Sequence, residues 1–265
     1  MKKRLLALAL AALTLLPLVG CKKKESAPAT DKAAIQQKGY ITIGITDLAP
    51  MDYKDENGQW IGFDADMARA FAKSLGVDVK FQVIEWDDKH KDLQDGKIDA
   101  IWNGMTLTSQ VRQQMDVSMA YCHNAQVVVL PANQVAHYQD EDSLKSLIFA
   151  AEDNSSGAKT LSEFGLVYTA VADQTKALEE VASGTASACI IDQFMAAAMT
   201  GPGTQYPHLA VAMELGNEVE DIVVGFRKGS DLVDAFNQFW DEAWADGTVE
   251  AAAETYNMSS FVLKH

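Results

Sequence analysis

The apolar period of the chain switches from two residues to about four and back, in both halves, and this alternation restricts the fold more than any single motif. Ile41, Ile43 and Ile45 recur at every second position, which predicts a strand. Met67, Phe71 and Leu75 follow at four-residue steps on a helix closed by Gly76. Val77, Val79, Phe81 and Val83 then alternate with Asp78, Lys80 and Gln82 as a second strand. A short helix around Leu93 stops at Gly96, and a third strand runs through 98–102. The second half repeats the scheme, with strands at 147–151, 167–172 and 188–191 and helices after Ser156-Gly157, over 175–183 and from Gln193. Gly96-Lys-Ile-Asp-Ala100 and Gly184-Thr-Ala-Ser-Ala188 are a short echo of one another. Strands alternating with helices predict an α/β fold in which each half is a mostly parallel sheet flanked by helices. The chain closes on a helix whose Leu232, Phe236, Phe239, Trp240 and Ala243 form one stripe, and on another over 249–256.

Lys2, Lys3 and Arg4 precede an apolar run from Leu5 to Val19, short for a membrane span, and Gly20-Cys21 follows. That order predicts a secretory signal over residues 1–20. Leu18-Val19-Gly20-Cys21 resembles a bacterial lipobox, which implies that Cys21 is the lipid-attachment residue. Residues 21–37 are expected to be a lipid-anchored linker, polar and small over 22–30, with Asp31 able to cap a short helix ending at Gly39. Lys22, Lys23 and Lys24 would be drawn to anionic headgroups beside the anchor. The expected location is therefore outside the cytoplasmic membrane, tethered by lipid and facing the periplasm or the extracellular side.

The formal charge of −15 becomes more negative once Lys2, Lys3 and Arg4 are cut away, which argues against nucleic acid as a partner. With 265 residues, 48% of them apolar, the chain can build one large core or two of ~100 residues each. Cys122 and Cys189 have no spacing that suggests a disulfide framework and are expected as two buried thiols. There is no GxSxG elbow, HExxH, CxxC pair or phosphate-loop lysine. His90, His123, His137, His208 and His265 are scattered without metal-ligand spacing. No catalytic residue, metal or cofactor is assigned.

Open α/β sheets bind ligands beyond the carboxyl ends of their strands. The segments there are Asp47-Leu-Ala-Pro50, Glu85-Trp86-Asp87, Asn103-Gly104-Met105-Thr106, Asn154-Ser155-Ser156-Gly157 and Asp192. Asn154–Gly157 opens a helix, where free N–H groups and the dipole favour an anion, although plain capping by Ser155 needs no ligand. Asp192 can pair with an ammonium or serve as a cap. Trp86 offers an apolar wall or a core side chain.

Gly58-Gln-Trp-Ile-Gly-Phe-Asp-Ala-Asp-Met-Ala68 resembles the GxxxGFDxDLA stretch of the polar amino-acid solute-binding proteins of ABC transporters. Lys97-Ile-Asp-Ala-Ile-Trp-Asn-Gly-Met-Thr-Leu-Thr108 resembles that family's KxDAxxxGMTIT, and Gly184–Asp192 its GxxDAxxxD. Asn124–Val129 resembles the strand leading out of its first lobe. The resemblance implies a two-lobed periplasmic-binding-protein fold with two crossover segments. It divides the chain into lobe one over 38–128 and 223–265 and lobe two over 129–222. It also implies that Asp47 or its neighbours, Trp86, Gly104 and Thr106 face a ligand from lobe one, and Ser155, Ser156 and Asp192 from lobe two, with Asp192 on the ligand's α-ammonium; Asn103, at the same strand end as Gly104, is a further candidate for the ligand. The family's arginine stands three residues after the threonine matching Thr108; here that residue is Val111, and the arginine is Arg112. The loop at Asp47–Met51 is also one residue shorter. Arg112 is the candidate for a ligand carboxylate if its helix turns it to the cleft; otherwise it is a solvated arginine, and the helix start at Ser155-Ser156 with the Thr106 hydroxyl carries the load.

The function implied is a lipoprotein that captures a small polar amino acid and delivers it to an ABC transporter permease, acting as a monomer. A small-acid dehydratase or lyase on the same scaffold, and a surface sensor or adhesin that kept the fold, are the alternatives.

Overall fold

In the computed structural model, which describes residues 30–216 and 219–265, each lobe holds one five-stranded sheet. The expected signal over residues 1–20 and residues 21–29, Cys21 among them, lie outside the described residues. The first sheet runs Asp78–Val83, Tyr40–Ile45, Ala100–Ile101, Gly225–Phe226, Asp116–Val117. The second runs Tyr168–Val171, Phe149–Glu152, Ala188–Asp192, Gln126–Pro131, Leu209–Glu214. The two orders correspond strand for strand. The echoed segments at Gly96 and Gly184 both feed the central strand of their sheet.

In each sheet one strand is antiparallel to both of its neighbours: Gly225–Phe226 in the first and Gln126–Pro131 in the second. These two strands arrive from the other lobe. They start at the cleft, where the parallel strands end, so they must run the opposite way. Between them the crossing segments Cys122–Asn124 and Glu220–Ile222 pair as an antiparallel ribbon, with Glu220 opposite Asn124. Gln126–Pro131 lies wholly in the second sheet. Residues 126–128 therefore belong with lobe two, and the boundary falls earlier than the expected 128.

A helix occupies residues expected to belong to a linker. Thr30, not Asp31, caps the helix Asp31–Lys38, accepting from the Ala33 N–H at 3.2 Å. That helix docks on lobe one: Ile35 is fully buried, and the Arg227 guanidinium pairs with Asp31 at 3.1 Å. Burying an isoleucine contributes about 2 kcal/mol, enough to hold one short helix against the body.

The lobe-one core is aromatic. The stripe on the helix Leu232–Ala245 puts Phe236 4.9 Å from the Trp102 ring and 5.8 Å from that of Trp240, over the buried Phe71, Tyr121 and Phe226. Cys122 and Cys189 are buried and unbonded to each other. Among the described residues no helix is long and apolar enough to cross a membrane.

Candidate functional site

A cavity of about 710 Å³ lies between the lobes, at the carboxyl ends of their parallel strands. Trp86, Asn103, Gly104 and Thr106 line it from lobe one, and Ser155, Ser156 and Asp192 from lobe two. Two of the residues singled out in the sequence lie elsewhere. Asp47 borders a separate cavity of about 550 Å³ with Phe194 and Tyr256. Arg112 is exposed and outside the lining; its carbonyl accepts from the Lys228 ammonium at 2.8 Å. The reason is local. Thr108 caps the helix Ser109–Gln114, accepting from the Val111 N–H at 3.1 Å, so the helix starts directly after Thr108. Val111 then turns inward against the Met105 cluster, and its neighbour points about 100° away.

Asn103 and Gly104 are held from behind. The Asn103 amide donates to Asp52 at 2.9 Å, and its oxygen accepts from the Thr46 hydroxyl at 2.6 Å. Gly104, at φ +57°, donates its N–H to Asp64 at 2.9 Å, and Tyr121 donates its hydroxyl to the same carboxylate oxygen at 2.7 Å. Asp64 belongs to the GFDAD stretch, so this motif shapes the loop that faces the ligand space. Burial raises the Asp64 carboxyl to about 7, against the donors that favour its charge.

Asp192 ends the strand Ala188–Asp192 and is buried. Its side chain makes no cap bond to the helix that follows. Instead it accepts from three neutral amides: Asn124, Gln126 at 2.7 Å, and Gln174. Gln174 also accepts from the Asp192 N–H at 2.9 Å, fixing backbone and carboxylate together. Asn124 and Gln126 sit two residues apart on one extended segment and so share a face. No cation pairs with Asp192 among the described residues. Burial, then the charge of Glu220, pushes the carboxyl up to about 7, partly opposed by the three amides.

Ser155 caps the helix Ser156–Glu163, accepting from the Ala158 N–H at 3.1 Å. The Ser156 hydroxyl donates to Glu220. Glu220 also accepts from Gln126 at 2.8 Å, Asn124 at 3.0 Å and the Thr106 hydroxyl at 3.3 Å. At the end of the strand Phe149–Glu152, Glu152 lines the cavity; burial, then the charge of Asp192, raises it to about 8. Lys89 lies 4.4 Å over the Trp86 ring and donates to the Trp86 carbonyl at 2.9 Å. Burial lowers its ammonium to about 8, opposed by Glu152 and Asp87.

Sequence reasoning missed Asn124, Gln126, Gln174, Glu152, Glu220 and Lys89. A signal existed only for Glu152, a carboxylate closing the apolar run Phe149-Ala-Ala. Glu220 is not itself in the lining but reaches the lining residues Thr106, Gln126 and Ser156, because its strand lies beside 105–107: Leu107 donates to the Asp221 carbonyl at 2.8 Å, and Thr106 bridges to Ile222.

Two lobes joined by a crossing ribbon, with a polar cavity between them, define the architecture of a solute-binding protein. The chain belongs to the bacterial extracellular solute-binding proteins, family 3, whose profile matches residues 41–259. It is similar to the crystal structure of an ABC uptake transporter substrate-binding protein from Streptococcus pneumoniae with bound histidine: 25% identity, TM-score 0.81, 89% of this chain and 99% of that one. Over 135 residues it is 32% identical to a probable histidine-binding protein of Neisseria gonorrhoeae, covering 51% of this chain and 49% of that one. Over 132 residues it is 28% identical to a cyclohexadienyl dehydratase of Pseudomonas aeruginosa, covering 49% and 48%. This chain thus spans about half the length of each of those two.

Proposed function

We propose that the chain is an exported, lipid-anchored solute receptor that holds one small ammonium-bearing solute of amino-acid size between its lobes and presents it to the permease of an ABC transporter. One observation carries this reading: Asp192 is buried against the cavity on neutral amides alone. A buried carboxylate without a cation is costly, and an ammonium in the cavity supplies the missing charge. The relatives that bind amino acids support the size class of the solute. The receptor acts without chemistry on the solute, although about half of this chain is similar to the dehydratase.

The test is a thermal-shift titration with amino acids and their parent amines, since a ligand bound only by the native state raises its stability by mass action. One or a few compounds should raise the melting temperature, and NMR should show them unchanged after incubation. Steady conversion above a buffer control would replace the receptor with an enzyme.

A further inference from the structure

From the polar contacts in the cavity, we infer that the solute is a small organic amine with no carboxylate beside its ammonium, because Glu220 of the chain itself occupies the place a ligand carboxylate would take. This deepens the receptor reading and rests on it.

A carboxylate bound between the lobes needs hydroxyl and N–H donors and a cation to offset its desolvation. Here the two hydroxyls that face one another across the cleft are taken. The Ser156 hydroxyl at the helix start and the Thr106 hydroxyl both point to Glu220, as do the Asn124 and Gln126 amides. The Gly104 N–H is turned away to Asp64. The arginine is missing too: Val111 faces the cavity and Arg112 faces solvent, while Lys91 and Lys159 of the lining pair with Asp95 and Glu163. Lys89 is the half-buried lysine of the lining, and its ammonium is already held by the Trp86 carbonyl.

The acidic side is in excess. Asp192 and Glu220 share the Asn124 and Gln126 amides as donors. Glu152, only 5% exposed, lines the same cavity, and its Oε1 is buried with no hydrogen-bond partner. That orphaned oxygen is a second acceptor awaiting a donor. No group of three or more His, Cys, Asp or Glu among the described residues is arranged to hold a metal ion. An organic cation with several N–H donors is the occupant that satisfies Glu152, Asp192 and Glu220 together. A second carboxylate brought by the solute would meet Glu220 as a like charge.

The experiment compares matched pairs by calorimetry on the wild-type chain and on Glu220→Gln: methylamine with glycine, ethanolamine with serine, histamine with histidine, cadaverine with lysine, and agmatine with arginine. In at least one pair the amine should bind at least tenfold more tightly than its amino acid, and Glu220→Gln should remove that preference while the apo melting temperature shows the variant folded. An amino acid that binds as tightly as its amine, or more tightly, overturns the inference and leaves the ammonium receptor standing. A preference for the amine that survives Glu220→Gln overturns the role of Glu220. If Glu220→Gln does not fold, Glu152→Gln is measured instead, and an unchanged amine affinity there overturns the inference. Silence from every member of the panel overturns the receptor reading itself, and the inference with it.

Discussion

Asp192 separates ligand recognition from structural support, because its carboxylate caps nothing and ends on three amides. Asp192→Asn keeps the shape and removes the charge. Charged hydrogen bonds are worth about 1.5–3 kcal/mol, so solute affinity should fall by at least ~10-fold in calorimetric titration. An unchanged affinity would leave the carboxylate a packing group. The buried carboxyls also set a pH dependence. In the folded apo protein Asp64 and Asp192 keep their protons up to about 7 and Glu152 up to about 8, well above the ordinary carboxylate range, because burial disfavours their charge. Between these limits the native state binds more protons than the unfolded chain. Its stability is therefore fully present at the acidic end and is lost as the pH rises through 7 to 8. Urea unfolding at pH 5, 6.5 and 8 should show a decline of about 1.4 kcal/mol per pH unit for each extra proton held. Asp192→Asn should flatten that slope; stability rising over the same range would refute the assignment.

At the scale of one element, the helix Ser156–Glu163 owes its position to Gly157. A Cβ there would lie 2.8 Å from Gln126 Oε1 and 2.9 Å from Ile190 Cγ2. Alanine gains about 1 kcal/mol of helix propensity over glycine. Overpacking a tight contact costs about 1–3 kcal/mol. Gln126 is tied to Asp192 and Glu220 and cannot swing aside freely. Packing should win, so Gly157→Ala should destabilise the protein by ~1 kcal/mol in denaturant titration and weaken solute binding. A stabilised variant would mean that the helix start can shift without cost. The crossing ribbon acts in the same way as a positioning element: its alternation turns Cys122 and Asn124 inward and His123 outward, where it pairs with Asp221 at 3.3 Å.

For the whole molecule, the two lobes touch at both rims of the cleft. The Asn154 amide donates to Asp87 at 2.8 Å, and the Thr175 hydroxyl to the Asp47 carbonyl at 3.3 Å. Ligand contacts from both sides stabilise the closed arrangement. X-ray scattering should therefore show a smaller radius of gyration with solute than without, and binding without compaction would remove closure from the mechanism. Asp87→Ala deletes one exposed contact worth about 1 kcal/mol, so affinity should drop by no more than ~10-fold. The proposed tether is tested separately. Cys21→Ser should leave the chain unprocessed or released into the soluble fraction, and a processed variant that still sediments with membranes would rule out lipid attachment at Cys21.

The alternation of Ile41–Ile45, Met67–Leu75 and Val77–Val83 was enough to predict α/β halves, because burial of one face leaves a period in the sequence. The strand ends gave most of the lobe-one and lobe-two lining for the same reason: a parallel strand delivers its next residues to one edge. The Arg112 orientation was not legible, since a one-residue change in where a helix starts rotates every side chain by about 100°. Glu220 was even less so. It sits 28 residues beyond Asp192, after an edge strand, and nothing local marks it. Only the pairing of two crossing segments, formed when both lobes are built, brings its carboxylate to Ser156 and Thr106. The order of residues along the chain was enough for the two sheets and the loops that line the cleft; the approach of Glu220 to that lining came only with the tertiary fold, because it depends on two crossing segments that pair once both lobes are built.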